Sequence, residues 1–403
     1  MRVAVLGLGS RGGTYSDILV EKHKDCEIVA VCDYKEDKRR LAVEKYGVAP
    51  ENVFAHSEEL FAKGKIADIL ILATMDQDHY RQAIRALELG YDILLEKPMS
   101  PSEEECKEII ATAEKYGRKI AVCHVLRYAP FYTVLKEIID SGEIGEVVTL
   151  SQTESVGYWH QAHSFVRGNW RNSDETSPMI LQKCCHDFDI IRWLMGSSCK
   201  SVSSYGSLTH FVEKNAPVGA ATRCMDCNVK DCIYNAVEFY KKNPEWFNFI
   251  ANGYTDVEEG LRVLPAGRCV YKCDNNVVDH QVTNMLFENG ATAQLTMTAF
   301  SEYMKREIHV HGTKGEIIGD MGRQILDVYI FKNGYRRIDI NALGVELKGH
   351  GGGDIVLVKE FIDHVTGTGN IRTSAKVSLE SHLMAFAAEK SRLAGGKPEE
   401  ISY

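Results

Sequence analysis

The stretch VAVLGLGSRGG near the start of the chain constrains the fold most, because three glycines stand in GxGxxG spacing directly after an apolar run. In a strand–turn–helix unit, Gly7 permits the tight turn, Gly9 the close approach of a phosphate, and Gly12 the packing of helix on strand. The following helix N-terminus, at Ser10 and Arg11, offers free N–H groups and a positive dipole end to a pyrophosphate. The spacing predicts a parallel α/β domain that binds a dinucleotide.

An acidic residue at the end of the second apolar run, EIVAVCD, indicates which dinucleotide is bound. The carboxylate of Asp33 is placed to accept hydrogen bonds from both ribose hydroxyls and to repel a 2′-phosphate, which favours NAD over NADP. Lys35 and the basic segment Lys38–Arg40 follow closely and would tolerate the phosphate of NADP. The sequence therefore predicts NAD as the cofactor, as a preference rather than an exclusion.

The pattern of apolar residues divides the chain into two domains. Apolar runs alternate with helix-like stretches through residues 1–123, which is typical of a parallel sheet covered on both faces. From about Glu146, long alternating strands with turns such as Asn333-Gly334 indicate an antiparallel sheet. We predict an NAD-binding, Rossmann-like domain at 1–123 and a substrate and oligomerisation domain at 124–403. Residues from about 211 to 268 follow neither pattern and are interpreted as a cysteine-rich insertion.

Length and composition exclude several classes of protein. The formal net charge of −9 over 403 residues argues against a nucleic-acid partner. Apolar runs are too short to cross a bilayer and Met1 leads directly into a strand, so we expect no membrane partner and a cytoplasmic location. In a reducing compartment the twelve cysteines are expected to be thiols or metal ligands. An open sheet face needs covering, which predicts a homo-oligomer.

Polar residues follow two further strands of the predicted parallel sheet. LATMDQDH places Thr74 and His79 after the third strand, and LLEKPMS places Glu96, Lys97 and Pro98 after the fourth. Ligands of open parallel sheets bind at the carboxyl ends of the strands. We therefore expect Thr74, His79, Glu96 and Lys97 to lie near the cofactor. Lys97 should lie beside the nicotinamide, oriented by a rigid turn at Pro98. The alternative is that Lys97 pairs with Glu96 and only stabilises the loop.

Four motifs resemble a known family. The stretches GLGSRG, EKP, HVLRYAP and HDFD, with the C-terminal SLESHLMAFAAEKS, are similar to those of the glucose–fructose oxidoreductase, inositol dehydrogenase and MocA-like (Gfo/Idh/MocA) oxidoreductases. The resemblance covers nearly the whole chain. It implies a Rossmann-like domain followed by an α/β domain on an open, mostly antiparallel sheet. It also implies NAD(P)-dependent chemistry on sugars.

The resemblance also implies roles for individual residues. Lys97 of EKP and His186 of HDFD would line the substrate site beside the nicotinamide and carry the catalysis, with Asp189 in support. His124 would contact substrate and Arg127 the cofactor, because both lie in a motif at the junction of the two sites.

One departure from the family pattern lies just before His186. Many members carry an aspartate four positions earlier and a glycine two positions earlier, whereas this chain has Gln182 and Cys184. Lys183 lies between them and is a further candidate for substrate contact. The charge relay common in the dehydrogenases of the family is therefore altered.

The chemistry of alcohol oxidation needs a base for the hydroxyl proton while hydride leaves for the nicotinamide. His186 has a suitable unperturbed pKa, although a histidine here could simply cap the helix that follows. Lys97 could act as the base through a depressed pKa, or as a cation that stabilises the developing alkoxide. His350, in the stretch GHGGGD, could also reach the substrate. The sequence leaves the proton acceptor open between Lys97 and His186.

The loop GYWHQAHSFVRGNWRN concentrates aromatic and basic side chains, which suits a carbohydrate. Aromatic faces stack on the C–H faces of sugar rings, and basic groups donate to hydroxyls. The substrate candidates in this loop are Trp159, His160, His163, Arg167 and Trp170. The alternatives are a dimer interface or an ordinary loop cluster, and the HxxH spacing could also hold a metal.

The stretch CMDCNVKDC supplies candidate metal ligands. Cys224 and Cys227 have the two-residue gap that lets two thiolates chelate one ion, and Cys232 adds a third. Cys273 is the expected fourth ligand, with Cys269 as the alternative. Zn²⁺ in a closed, structural site fits this set best; an iron–sulfur cluster, or thiols that are unligated or oxidised, are the alternatives.

The sequence therefore predicts an NAD(H)-dependent oxidoreductase that acts on a hydroxyl of a sugar, sugar alcohol or glycoside. A second hypothesis is an NAD-dependent glycosidase, because some relatives oxidise a ring hydroxyl, eliminate the aglycone, add water and re-reduce. A third is an NAD-binding regulator without catalysis.

Overall fold

The computed structural model describes all 403 residues and begins with a six-stranded parallel sheet. The sheet order is β3-β2-β1-β4-β5-β6, which is the doubly wound order with β1 and β4 at the centre. Its strands are β1 (Arg2–Leu6), β2 (Glu27–Cys32), β3 (Val53–Phe54), β4 (Ile69–Leu72), β5 (Asp92–Leu95) and β6 (Ile120–Val122). The central strands are buried on both faces, as their continuous apolar sequences predict.

Helices cover both faces of this sheet. The connecting helices are α1 (Ser10–Lys22), α2 (Glu36–Tyr46), α3 (Ser57–Ala62), α4 (Asp76–Glu88) and α5 (Glu103–Tyr116). Apolar side chains of α3, α4 and α5 pack on one face, and those of α1 and α2 pack on the other. A distant helix, Gly353–Thr366, joins α1 and α2 through Leu357 and Phe361. The C-terminal part of the chain therefore completes the core of the first domain.

The second sheet has nine strands in the order β14-β13-β12-β11-β7-β10-β9-β8-β15. All neighbouring pairs are antiparallel except β7 with β10. The strands are β7 (Val147–Ser155), β8 (Cys199–Ser207), β9 (His280–Phe287), β10 (Thr292–Thr298), β11 (Lys305–Gly312), β12 (Gly315–Asp320), β13 (Ile325–Ile330), β14 (Gly334–Asp339) and β15 (Glu399–Glu400). The single parallel pair brings the first strand of this domain into the middle of the sheet.

Helices cover only one face of the second sheet. Between the sheets and around the second one lie α6 (Pro130–Asp140), α7 (Tyr158–His160), α8 (Met179–Gln182), α9 (Cys185–Met195), α13 (Lys348–Gly351), α14 (Gly353–Thr366) and α15 (Ala375–Leu393). Side chains of α6, α8, α9 and α15 form the largest apolar core with alternate residues of the strands. The other face exposes Ile318, Tyr329 and Leu286 among polar residues. None of the helices combines the length and apolar character required to cross a membrane.

The segment interpreted as an insertion lies between β8 and β9. Its helices are α10 (Ala236–Lys242), α11 (Pro244–Ile250) and α12 (Val257–Val263). They enclose a small apolar core of their own that includes Tyr240, Phe247 and Leu261. A second small core joins the segment to the substrate loop through Val166 and Phe211. The insertion is therefore packed on the second domain.

Candidate functional site

The glycine-rich turn after β1 has the geometry that its sequence predicts. Gly7 has a φ of 93°, and a Cβ there would lie 2.4 Å from the carbonyl oxygen of Ala73. A Cβ on Gly12 would lie 1.9 Å from the carbonyl oxygen of Gly7. A Cβ on Gly9 would meet no atom within 4 Å, so this side of the turn is open. No side chain caps the N-terminus of α1, which leaves the N–H groups beginning at Ser10 for phosphate. These features fit a bound dinucleotide.

Asp33 lies beside this turn. Its Oδ2 accepts a hydrogen bond of 2.7 Å from the backbone N–H of Leu8, and its Oδ1 accepts one of 2.9 Å from the N–H of Lys35. The backbone N–H of Gly7 donates to Cys32, the residue before Asp33. The carboxylate is therefore held rigidly at the end of β2, where the sequence predicts contact with a ribose.

Replacing Asp33 by alanine is expected to raise the KM for NAD by about 10- to 100-fold, because hydrogen bonds to a charged group contribute about 1.5–3 kcal/mol. The KM for NADP should rise much less, because the carboxylate that opposes its phosphate is gone. Initial rates with both cofactors measure the change. Glu36→Ala is the control, since it removes an equal charge from the first turn of α2. Equal effects in both variants would contradict a specific role for Asp33.

Arg11 points away from the open side of the turn and into a cluster of carboxylates. Its Nε lies 3.1 Å from Glu96 Oε1, and its Nη2 lies 2.5 Å from Asp354 Oδ1 in α14. The hydroxyl of Tyr15 donates to Glu96 at 2.6 Å. Burial alone would raise the pKa of Glu96, but the charges of Arg11 and Lys97 outweigh it and keep that pKa below its usual value. Arg11 and Glu96 thus tie α1, β5 and α14 together beneath the cofactor edge.

Thr74 and His79 connect the ends of two strands. His79 is buried, with Nδ1 2.8 Å from the carbonyl oxygen of Pro98 and Nε2 3.2 Å from that of Thr74. The Thr74 hydroxyl donates to Gln82 at 2.6 Å. Both predicted cofactor residues therefore lie at the predicted edge, and their polar atoms bind protein groups that support the turn carrying Lys97.

Lys97 bridges the two domains. The Lys97–Pro98 peptide bond is cis, and the Lys97 backbone N–H donates to Glu96 Oε2 at 3.0 Å. Its Nζ crosses to the second domain and donates to the main-chain carbonyl of Gln182 at 2.8 Å. Gln182 stands where the resemblance implies an aspartate, so the side chain at this position carries no charge, and Lys97 contacts the backbone carbonyl. An ammonium has three N–H donors, so two remain for a ligand.

His186 lies in the first turn of α9, close to Lys97. Burial lowers the pKa of His186 well below its ordinary value, and the Lys97 charge lowers it further. Its Nδ1 is buried without a hydrogen-bond partner. A buried polar atom of this kind is costly unless something binds it. His186 is therefore a neutral imidazole with an unused nitrogen.

A row of four histidines runs through this site. Ring centroids are 6.0 Å apart from His350 to His186, 5.8 Å from His186 to His124, and 5.4 Å from His124 to His382. His382 is fixed by the backbone, because its Nδ1 donates to Ser378 and its Nε2 accepts from the N–H of Met99. His350 lies 3.3 Å from Asp354 at the partly exposed end. The row joins α13, α9 and α15 at the domain junction.

Asp189 supports His124 and Arg127 rather than His186. Its carboxylate receives two hydrogen bonds from Arg127, of 2.6 and 2.7 Å, and lies 3.0 Å from His124 Nδ1. Burial alone would raise the pKa of Asp189, but these two basic partners outweigh it and keep that pKa well below its usual value. Arg127 is thus engaged inside the protein, at the position where the resemblance implies a cofactor contact.

Lys183 begins a second buried ionic network. Its Nζ lies 3.2 Å from Glu154, whose other oxygen lies 2.9 Å from Arg306; Arg306 also contacts Asp187 at 2.8 Å. Burial raises the pKa of Glu154. The set contains two cations and two carboxylates, and it lies between the central strand β7 and α9. Lys183 therefore reaches this network from the loop before His186.

The aromatic loop packs beneath the insertion. Trp159 stacks on Phe239 at 5.4 Å and meets Trp246 edge-on at 4.8 Å. His163 Nδ1 lies 2.6 Å from the hydroxyl of Tyr240. Burial lowers the pKa of His160 well below its ordinary value, and the positive charge of Lys183 lowers it further.

The two remaining loop candidates, Arg167 and Trp170, have different surroundings from each other. Arg167 is buried and donates to the carbonyls of Arg268 at 2.7 Å and Tyr234 at 2.6 Å. Trp170 packs against the core of the second domain, with its ring 6.2 Å from that of Phe165. The loop therefore divides between the insertion and the core of the second domain instead of forming one aromatic platform.

Several residues of the site escaped the sequence analysis. These are Tyr15, Glu154, Arg306, Asp354 and His382. One signal was available, because Glu154 stands at a buried position of an alternating strand. His382 lies within the C-terminal stretch SLESHLMAFAAEKS. The helical pattern of that stretch does not indicate that His382 lies against His124, which is distant in the chain.

One group of potential metal ligands is visible outside the insertion. His309, His311 and Glu316 lie on β11 and β12 with their ligand atoms within 4.8 Å of one another. The His309 Nε2 to Glu316 Oε2 distance of 2.8 Å is that of a hydrogen-bonded pair. These side chains are about one-third exposed, and the pairing by itself accounts for their arrangement.

Comparison with known proteins identifies the family. Family models match the chain over residues 1–124, for an oxidoreductase family with an NAD-binding Rossmann fold, and over residues 136–397, for the C-terminal alpha/beta domain of that family. The chain belongs to the Gfo/Idh/MocA family. The predicted resemblance and fold class are confirmed, as is the expectation of an NAD-binding oxidoreductase.

Relatives and solved structures extend over different parts of this Gfo/Idh/MocA chain. The Bacillus subtilis protein YteT is 23% identical over 312 residues, or 73% of this chain and 72% of YteT. An inositol 2-dehydrogenase of Corynebacterium glutamicum is 29% identical over 208 residues, which span 50% of this chain and 56% of that enzyme. The WlbA dehydrogenase of Bordetella pertussis, solved with NADH and UDP-GlcNAcA, is 18% identical with a TM-score of 0.72, covering 100% of this chain and 98% of WlbA. The structural likeness shows a common fold.

Proposed function

We propose that this protein is an NAD(H)-dependent oxidoreductase that transfers hydride between nicotinamide and a CH–OH group of a sugar, sugar alcohol or glycoside. One observation carries the proposal: Lys97, at the carboxyl edge of the parallel sheet, donates to the carbonyl of Gln182, four residues before His186. His186 Nδ1 has no partner, and the Lys97 charge contributes to lowering the pKa of His186. Two relatives support the substrate class, because one is named for inositol and the other was solved with a nucleotide-linked sugar acid.

The site residues have complementary roles in this proposal. NAD, when bound, accepts the hydride. His186 takes the hydroxyl proton, because its imidazole is neutral and one nitrogen lacks a partner. Lys97 donates a hydrogen bond to the same oxygen and stabilises its developing negative charge. The Gln182 carbonyl holds Lys97 in place. His124 and His350 orient the histidine from its two sides, and His160 and Trp159 lie toward the rim.

The pH dependence of kcat/KM should reflect the low pKa of His186. A protonated imidazole cannot accept the substrate proton, so activity falls when His186 becomes protonated. Because burial and Lys97 lower its pKa, the acid limb should lie below the value of about 6.5 for a free imidazole. His186→Asn should remove this limb together with most activity. Rates measured across acidic and neutral pH, with His23→Asn as a surface control, provide the test; a limb at or above the free value would contradict the role of His186.

The activity is tested with purified protein on polyols, sugars and nitrophenyl glycosides, with and without added NAD. Net formation of NADH that depends on Lys97 and His186 is the expected result. Aglycone release without net NADH, with solvent deuterium entering the sugar, would instead establish the glycosidase. Absence of any Lys97-dependent turnover across the panel would favour the non-catalytic regulator.

The glycosidase is the second candidate because of one structural feature. Gln182, four residues before His186, has an uncharged side chain, and Lys97 contacts its backbone carbonyl. A charge relay suited to net oxidation is therefore altered, and transient oxidation followed by re-reduction needs no net acceptor. Both candidates use the same cofactor, the same lysine and the same histidine.

The assembly and metal content are part of the proposal as well. A homo-oligomer would cover the exposed face of the second sheet, where Ile318 and Leu286 are about 40% exposed. A cytoplasmic location belongs to the same proposal, because a reducing compartment keeps cysteines available as thiols or metal ligands. A structural Zn²⁺ ion bound by the insertion would account for the cysteines that gather there.

A further inference from the structure

Four cysteines of the insertion meet around one small pocket. The pocket is lined by Cys224, Cys227, Cys232 and Cys269, together with Arg167. The four cysteines span 45 positions of the chain, from Cys224 to Cys269, and all four are free thiols. We propose that the four thiolates bind one Zn²⁺ ion and that this ion holds the insertion against the loop that forms the substrate rim.

The backbone already brings the two arms of this site together. Arg223 and Arg268 form an isolated antiparallel bridge, and the N–H of Cys269 donates to the carbonyl of Thr222 at 2.8 Å. Cys224 begins a short helical turn, and the N–H of Cys227 donates to the Cys224 carbonyl at 3.3 Å. The paired thiols of this turn therefore face the single thiol of the other arm, which is the arrangement that a tetrahedral ion requires.

The structure changes the expected fourth ligand. The sequence favours Cys273, but that thiol does not line the pocket and instead donates to the carbonyl of Cys269 at 3.2 Å. Cys269 lines the pocket with the other three thiols. We therefore assign Cys269 as the fourth ligand and leave Cys273 outside the site.

The thiols are gathered but not yet at ligand spacing. No three of the sulfurs lie within 4.8 Å of one another, whereas sulfurs around Zn²⁺ at about 2.3 Å lie ~3.8 Å apart. Binding would require the cysteine side chains to rotate toward one another around the bridged backbone. Binding would thus tighten a preformed pocket, and part of the metal binding energy would appear as stability of the insertion.

Arg167 connects the metal site to the substrate rim. Four thiolates around Zn²⁺ leave two excess negative charges, and Arg167 Nη2 lies 3.5 Å from Cys224 Sγ. The same guanidinium donates to the Tyr234 carbonyl inside the insertion. Arg167 directly follows the turn Gln161–Val166, which contains His163. The ion would therefore fix both the insertion and the substrate loop, so Arg167 acts as a positioning residue.

The test begins with the metal content of the whole protein, purified under reducing conditions and incubated with Zn²⁺. We expect one zinc per chain by elemental analysis. Serine at Cys224, Cys227, Cys232 or Cys269 should weaken zinc binding by more than ~100-fold, and Arg167→Lys by about 10- to 100-fold. Cys273→Ser and the buried first-domain Cys106→Ser are matched controls that should keep zinc.

Several outcomes would overturn the assignment. These are protein without zinc after incubation, iron with visible charge-transfer absorption, or loss of zinc in Cys273→Ser but not in Cys269→Ser. Folding of each variant is checked by its unfolding transition, since cysteine loss could act through stability alone. The zinc content is measured without substrate, so its result does not depend on whether the proposed oxidoreductase activity is correct.

A second measurement tests the link to the rim, and it depends on the proposed function. In the zinc-depleted variants that remain folded, the KM for substrate should rise severalfold while kcat and the KM for NAD change little. Limited proteolysis should also cut the insertion faster. An unchanged substrate KM in a folded, zinc-free variant would overturn the positioning role.

Discussion

Replacing Lys97 by alanine is expected to lower kcat by about 10³-fold or more, because positioned donors at a developing alkoxide contribute effects of about 10²–10³ and the lysine also carries charge. Its Nζ is held by the Gln182 carbonyl across the domain junction, and alanine removes both this contact and the charge. The affinity for NAD should change little, since Asp33 and the glycine-rich turn are untouched. Stopped-flow fluorescence of NADH binding and steady-state rates separate the two effects.

A matched surface lysine controls for this change. Lys107 lies in α5 and pairs with Glu103 at 2.6 Å, and its side chain is 45% exposed. Lys107→Ala should retain the rate of the parent protein. Lys97→Ala within tenfold of the parent kcat would remove Lys97 from the catalytic site, and a matching loss of NAD binding would move its role to the cofactor.

Replacing Asp189 by asparagine is expected to lower the free energy of unfolding by about 3–5 kcal/mol, because removing one partner of a buried ion pair leaves the other charge uncompensated. The side chains of Asp189 and Arg127 are 1% and 5% exposed, and their two hydrogen bonds are 2.6 and 2.7 Å. The lowered pKa of Asp189 indicates that the folded protein favours the ionised carboxylate, so losing that charge should destabilise the fold. Stability should also fall as acid protonates Asp189.

Urea unfolding followed by tryptophan fluorescence measures this loss, because all four tryptophans lie in the second domain and Trp193 packs against Arg127. Asp327→Asn is the matched control. Asp327 makes a similar two-bond contact with Arg337, whose side chain is 52% exposed, so its loss should cost less than ~1 kcal/mol. Equal destabilisation by the two variants would contradict the importance of burial.

The first domain could be predicted almost completely from sequence, for a local reason. Its strands, glycine turn and following helix depend on neighbouring residues, so their pattern is written in short stretches such as the one from Gly7 to Gly12. Asp33 and Lys97 were found in the same way, because the carboxyl ends of parallel strands must share one edge. His186 was predicted only through the family resemblance, because no local sequence pattern marks a histidine within a helix as a site residue.

Partners that are distant in the chain could not be predicted. Arg11 lies in the cofactor turn as predicted, but its guanidinium binds Asp354, 343 residues away. Asp189 is bound to Arg127 rather than to His186, although His186 lies only three residues away in the same helix. Hydrophobic pattern indicates which face of a helix is buried, but it does not determine which buried polar groups meet there.

The sequence by itself determined the fold class, the family and the NAD-binding domain, and it marked Lys97 and His186 as candidates for the site, because each depends on local spacing or on a motif shared with the family. Only the tertiary structure decided that Cys269 and not Cys273 completes the four-thiol pocket, that Arg167 belongs to it, and that four histidines form a row. The physical reason is that chain direction after a loop and side-chain rotamers arise from the packing of distant elements. Spacing in the chain limits which groups can meet, and packing selects among them.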